Sequence, residues 1–179
     1  MDSFDPLLLD RAKQVRLLAL DVDGVLTDGR LYFDSAGNEL KAFSTRDGLG
    51  IKALQRIDIG VAIITGRSSP MVSARATQLS IEHVYQGSDD KLTAYEDLLR
   101  RTGLEDRDIC YVGDDWIDLP VLARCGLAVT VPSADAAVRD RVHWVTDRAG
   151  GDGAVREVCE LILHAQDHYD SLLESFAAQ

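Results

Sequence analysis

Leu17-Leu18-Ala19-Leu20-Asp21-Val22-Asp23-Gly24-Val25-Leu26-Thr27 is the stretch from which the rest of the chain can be read. Its apolar start has no polar face, the mark of a strand buried on both sides, as in a parallel sheet. Two carboxylates follow directly, at the carboxyl edge where open α/β sheets hold their ligands. Gly24 then allows a sharp turn, so that main-chain donors can approach an anion without a side chain in the way. Acidic turns also occur in calcium loops, but no further acidic ligands follow here at that spacing.

Further apolar or β-branched runs recur along the chain at Val61 to Thr65, Val84 to Tyr85, Ile109 to Gly113, Leu127 to Val131 and Val142 to Val145. Helical patterns separate them, and this alternation predicts an α/β fold: a Rossmann-like parallel sheet flanked by helices. Helix starts are expected at Asp47, at Ser69 with Pro70 in the first turn, and at Asp89 or Asp90. An amphipathic helix is expected from about Ala154 to Gln166, with fraying over about Asp167 to Gln179. Arg30 to Phe33 and Glu39 to Ser44 flank the turn-rich Asp34-Ser35-Ala36-Gly37-Asn38 and read as a β-hairpin inserted after the first strand. Ala149-Gly150-Gly151-Asp152-Gly153 reads as a flexible stretch. The expected organisation is one domain over 1–179, with the hairpin at about 30–44 and a tail from about 149.

The chain has 19 Lys and Arg against 30 Asp and Glu, a formal charge of −11. That balance disfavours nucleic acid and anionic membranes as partners, so any phosphate must meet a local basic site. Cys110, Cys125 and Cys159 sit in apolar segments without metal spacing and read as small buried residues of a reducing compartment. Asp2 and Asp5 stand where a signal peptide would carry positive charge, and no apolar run approaches the roughly 18 residues of a membrane span. A cytoplasmic location is expected.

The chemistry lies at the ends of the strands. A carboxylate can attack phosphorus while a second acid protonates the leaving oxygen and later deprotonates water. Asp21 suits the first role and Asp23 the second. Thr65, in Thr65-Gly66-Arg67, places a hydroxyl at the same edge, where it can hold a phosphate oxygen. Lys91 opens a helix after Tyr85-Gln86-Gly87 and can offset phosphate charge. Gly113-Asp114-Asp115 and Asp118 follow another strand with hard oxygen ligands that suit magnesium. Each element alone is weak; acid, hydroxyl, lysine and acid pair after successive strands form a constellation that chance rarely delivers.

In that order these residues resemble the four motifs of the haloacid dehalogenase superfamily of phosphatases. More narrowly, residues 21–29, 46–52, 64–67, 85–87 and 150–157 resemble the branch of that superfamily acting on 3-deoxy-D-manno-octulosonate 8-phosphate. The similarity runs from about residue 15 to 166. It implies release of phosphate from this eight-carbon sugar acid, a step toward the inner core of bacterial lipopolysaccharide. It also implies a Mg2+ held by Asp21, the backbone carbonyl of Asp23 and Asp114, with Asp115 and Asp118 supporting those ligands. Substrate contacts carry over onto Asp23, Ser44, Thr45, Arg46, Asp47, Gly48, Lys52, Arg67, Arg75 and Lys91. A homotetramer is implied, with the hairpin at its centre and a neighbour's tail closing the site.

Three other readings stand beside this one. A nine-carbon substrate, 2-keto-3-deoxynononate 9-phosphate, would need the same catalytic parts. A noncatalytic binding protein would be expected to lack one of the acids, whereas Asp21, Asp23, Lys91 and Asp114 are all present. A mutase needs a cap domain to exclude water, and no segment is long enough to form one.

Overall fold

The computed structural model describes residues 4–178; Met1 to Ser3 and Gln179 lie outside it, including the Asp2 of the charge argument above. In chain order the elements are α1 (Pro6–Ala12), β1 (Leu17–Leu20), β2 (Tyr32–Phe33), β3 (Glu39–Leu40), α2 (Thr45–Gln55), β4 (Gly60–Ile64) and α3 (Pro70–Leu79). There follow β5 (His83–Tyr85), α4 (Lys91–Thr102), β6 (Ile109–Val112), α5 (Leu119–Leu122), β7 (Leu127–Thr130), α6 (Ala136–Arg139), β8 (Trp144–Val145), α7 (Ala154–Ala165) and α8 (Tyr169–Ala177). The main sheet has the order β5-β4-β1-β6-β7-β8 and every pairing in it is parallel.

β1 lies inside this sheet, paired with β4 through Leu20 and Ile63 and with β6 through Leu20 and Val112. Its side chains alternate between two cores, as strand geometry requires. Leu18 and Leu20 pack with α1, α2 and α7, while Leu17 and Ala19 pack with α4 and α5. All four are buried, which explains the unbroken apolar run. Because the neighbours are parallel, Asp21, Thr65 and Gly113 leave three adjacent strands at the same edge.

Several boundaries differ from the sequence reading. α2 begins at Thr45 and not after Asp47, because Ser44 provides the cap and its hydroxyl accepts the Asp47 amide at 3.4 Å. The expected strand from Val142 contracts to Trp144–Val145. The hairpin pairs Tyr32 with Leu40 and Phe33 with Glu39, a shorter ladder than expected. Its turn is organised by Asp34, whose Oδ1 accepts the amides of Ala36 and Asn38 at 2.8 Å each.

Two further differences have tertiary causes. The glycine-rich stretch 149–153 is not a loose linker. Gly151 donates its amide to the Val25 carbonyl at 3.0 Å, and a Cβ on Gly150 would lie 1.7 Å from the Gly24 carbonyl oxygen. These glycines allow the stretch to lie directly against the loop that follows β1. The expected fraying from Asp167 gives way to α8, where Tyr169 stacks on His164 at 3.8 Å and Tyr169 and Leu172 pack on the core.

Candidate active site

The acids gather around Lys91. Its Nζ lies 2.9 Å from Asp21 Oδ1 and 2.6 Å from Asp118 Oδ1, and all three side chains are buried. Lys91 is the first residue of α4, capped by Asp90, so helix start and ammonium arrive together at the sheet edge. Tyr111, on β6, donates its hydroxyl to Asp118 Oδ1 at 2.6 Å. Asp118 Oδ2 accepts the amides of Asp114 and Asp115 at 3.1 and 3.2 Å. Asp118 therefore holds both the lysine and the loop that carries Asp114.

Glycines permit this crowding. A Cβ on Gly24, whose φ is +94°, would fall 1.9 Å from Asp114 Oδ2. One on Gly113 would fall 2.4 Å from Asp118 Cγ. The turn after β1 and the turn after β6 can approach only because neither residue has a side chain.

The charges are not balanced within this cluster. Asp21, Asp114 and Asp118 can bring three carboxylate oxygens within 4.8 Å of one another, with Lys91 the only cation bonded to them among the described residues. Burial, then the charge of Asp118, pushes Asp21 up from 3.8 to about 7, against the pull of Lys91. Burial and Asp118 likewise push Asp114 up to about 7. Burial works to lower Lys91, but Asp21 and Asp118 outweigh it and hold the ammonium above its ordinary value. Clustered buried carboxylates with an unmet demand for positive charge suit a hard divalent cation. Asp21 and Asp114 fit as its ligands; Asp118 already accepts four donors and fits as their support.

The other expected site residues fall into distinct places. Asp23 is bonded through Oδ1 to Lys41 and lies near Arg67, whose Nε is 3.8 Å from Oδ2. Thr65 is buried at the exit of β4, its amide bonded to the Tyr85 carbonyl at 2.9 Å. Asp115 is exposed and accepts the Trp116 amide at 2.7 Å, so it caps its own turn. A second group collects at the start of α2. Arg75 Nη2 donates to the Ser44 carbonyl at 2.9 Å, and a Cβ on Gly48 would meet that guanidinium at 2.5 Å. Asp47 Oδ1 accepts the Arg156 amide of α7 at 2.8 Å; burial raises its carboxyl, opposed by that bond. Thr45 and Arg46 are exposed, and Lys52 donates to Ser80 Oγ at 2.9 Å. None of this second group bonds the Asp21, Lys91 and Asp118 cluster among the described residues.

Lys41 and Tyr111 contact the site acids but escaped the sequence reading. Lys41 sits in a hairpin whose apolar and charged residues follow no helix or sheet period that would flag it. Tyr111 was legible only as part of a buried strand, although its hydroxyl at the sheet edge required a partner.

The parallel sheet with its buried acid cluster defines a haloacid dehalogenase-like hydrolase, and the family model of that description matches residues 75–158. The chain is 51% identical to the 3-deoxy-D-manno-octulosonate 8-phosphate phosphatase KdsC of Yersinia pestis over 160 residues, 89% of this chain and 86% of that protein. It belongs to the 3-deoxy-D-manno-octulosonate 8-phosphate phosphatase family. The Moraxella catarrhalis phosphatase of that name, solved with magnesium, phosphate and KDO, matches at a TM-score of 0.92 and 46% identity, covering 94% of this chain and 97% of that one. The cobalt-bound Haemophilus influenzae enzyme matches at 0.89 and 39%, covering 93% and 99%.

Proposed function

We propose that this protein hydrolyses 3-deoxy-D-manno-octulosonate 8-phosphate to the free sugar acid and phosphate, with Asp21 as nucleophile, in lipopolysaccharide inner-core synthesis. The observation that carries the reading is Asp21, buried at the end of β1 with Lys91 Nζ 2.9 Å from its carboxylate. The relatives' shared activity supports the substrate. In the first step an Asp21 oxygen attacks phosphorus, the ester P–O bond breaks, and Asp23 gives its proton to the departing alcohol. In the second, water attacks the aspartyl phosphate, Asp23 takes the water's proton, and Asp21 is released with inorganic phosphate. Lys91 steadies the nucleophile and offsets phosphate charge, while Thr65 holds a phosphate oxygen. Magnesium held by Asp21, the Asp23 carbonyl and Asp114 would neutralise charge on the transferring phosphoryl group. The cations of the substrate set suit a sugar acid's own carboxylate.

The test is phosphate release with magnesium from the eight-carbon substrate, the nine-carbon 2-keto-3-deoxynononate 9-phosphate and simple sugar phosphates, with chelator controls. Strong preference for the first is expected. Equal turnover of the nine-carbon compound would sink the substrate and leave the chemistry intact.

The protonation balance predicts how magnesium changes stability. Asp21 and Asp114 are raised from 3.8 to about 7 in the fold. Between those values the native state binds more protons than the unfolded chain, so these groups make the metal-free protein lose stability as pH rises from about 4 to 7. A cation needs the carboxylates deprotonated. The gain in melting temperature from saturating magnesium is therefore expected to be larger at pH 8 than at pH 5.5. Identical gains at both would remove these two carboxylates as the ligands.

We also propose a homotetramer that acts in the cytoplasm. Leu31, Tyr32, Phe33 and Leu40 on the hairpin are each 41–59% exposed, a patch that association would cover. No helix among the described residues is long and apolar enough to cross a membrane, and the three cysteines are free and buried, which suits a reducing compartment. A monomeric mass by light scattering would overturn the assembly, and recovery in a periplasmic fraction the location.

A further inference from the structure

Lys41, one residue past β3, has a side chain only 2% exposed, and its ammonium bonds Asp23 Oδ1. Its other neighbour is Glu39 Oε1 at 3.5 Å. That same oxygen accepts from Arg67 Nη2 at 2.9 Å, and Arg67 Nε lies 3.8 Å from Asp23 Oδ2. Two carboxylates and two cations thus close a ring joining the turn after β1, the base of the hairpin and the exit of β4. A buried ammonium is costly unless paired, so this placement ties Lys41 firmly to Asp23. Asp23 Oδ2, also buried, has no hydrogen-bond partner among the described residues.

We propose that Lys41 is a positioning residue: by holding Oδ1 it fixes the rotation of the Asp23 carboxyl, so that Oδ2 is the oxygen that exchanges a proton with the substrate. This rests on the reading of Asp23 as general acid and base. A carboxyl free to turn about Cβ–Cγ presents either oxygen in many directions, and restricting it is a direct source of rate. In phosphoryl transfer the bond from Asp21 to phosphorus forms, the ester bond breaks, and the proton on Oδ2 passes to the alcohol oxygen. The water attacking the aspartyl phosphate later returns a proton to the same atom. The hairpin, through Lys41 and Glu39, becomes part of the catalytic apparatus as well as a surface element. Lys41 itself touches neither the substrate nor the reacting atoms.

The leaving group separates this from simple anchoring of the hairpin. The sugar alcohol needs a proton to depart, and p-nitrophenolate does not. The quantity to compare is kcat/KM, which reports the steps up to loss of the alcohol, in Lys41→Met, Lys41→Arg and Asp23→Asn against the parent protein. General acid catalysis contributes roughly 100- to 10,000-fold. Lys41→Met is expected to lower kcat/KM for the sugar acid phosphate at least about 10-fold more than for p-nitrophenyl phosphate, within that range. Lys41→Arg should recover part of the difference, and Asp23→Asn should show it in full. If Asp23→Asn discriminates between the substrates and Lys41→Met lowers both equally, Lys41 is only an anchor and the proposal is overturned. If Asp23→Asn does not discriminate, the acid role of Asp23 fails and the positioning role fails with it. Should Lys41→Met not fold, Lys41→Gln, which fills the site with a polar group one atom shorter and withdraws the ammonium from Oδ1, carries the same comparison.

Discussion

Asp21→Asn is expected to reduce kcat by a factor on the order of 10,000 or more, because the amide cannot form the aspartyl phosphate. The fold should survive the change. An Asn carbonyl can still accept from Lys91, and removing the Asp21 charge relieves the burial cost and the repulsion from Asp118 that together push this carboxyl up to about 7. The metal-free variant should therefore melt at or above the parent at pH 8. Phosphate retained on the parent protein when turnover is quenched in acid should be missing from the variant. Parent-like turnover in Asp21→Asn would falsify the nucleophile assignment, and a lowered melting point would show that the carboxylate carries structural weight that the geometry does not predict.

Asp118→Ala is expected to damage stability and activity together. Four donors lose their acceptor: the Lys91 ammonium, the Tyr111 hydroxyl and the amides of Asp114 and Asp115. Two effects compete. Loss of the Asp118 charge would let Asp21 and Asp114 ionise more easily, which favours the fold near neutral pH. Against it, the three neutral donors left without Asp118 cost about 1–3 kcal/mol each, while Lys91 keeps Asp21 at 2.9 Å. The second effect wins. Urea unfolding of the metal-free protein at pH 8 should show a loss of about 3 kcal/mol or more, the sum for three orphaned donors. Displacing Lys91 and the Asp114 loop should also lower kcat/KM by roughly 10- to 100-fold, the scale for groups that support metal ligands. Asp118→Asn keeps an acceptor for the two amides and should be milder on stability. A loss in Asp118→Ala below about 0.5 kcal/mol, the ordinary range of surface substitutions, would show that the network is not held by this residue.

Both predictions turn on the same physical point. Asp118 was legible in the sequence only as one acid among three after a strand. The structure makes it the most heavily bonded of them, because the short helical turn Trp116–Asp118 directs its side chain back under the loop, whereas Asp115 caps that turn from outside. Arg67 and Arg75, eight residues apart, are both expected from the resemblance to contact substrate. In the fold Arg67 precedes α3 and reaches Glu39 on the hairpin, while Arg75 lies inside α3 and reaches the carbonyl of Ser44.

By itself the sequence determined the alternation of strands and helices, the buried run Leu17–Leu20 and the acids that follow it, since these rest on local period and on turn chemistry. The order of Asp21, Thr65, Lys91 and Asp114 along the chain already carried the hydrolase reading. Tertiary structure alone decided that Lys41 sits on Asp23, that Gly150 lies against Gly24, that Asp47 binds the start of α7, and that α2 is capped at Ser44, three residues ahead of the expected Asp47. The first three contacts join residues 18, 126 and 109 positions apart, the middle count being the difference between 150 and 24. Local propensity holds no record of such pairings. They exist because the parallel sheet brings distant strand ends to one edge, where buried charges and close-packed backbones must find partners wherever the fold has placed them.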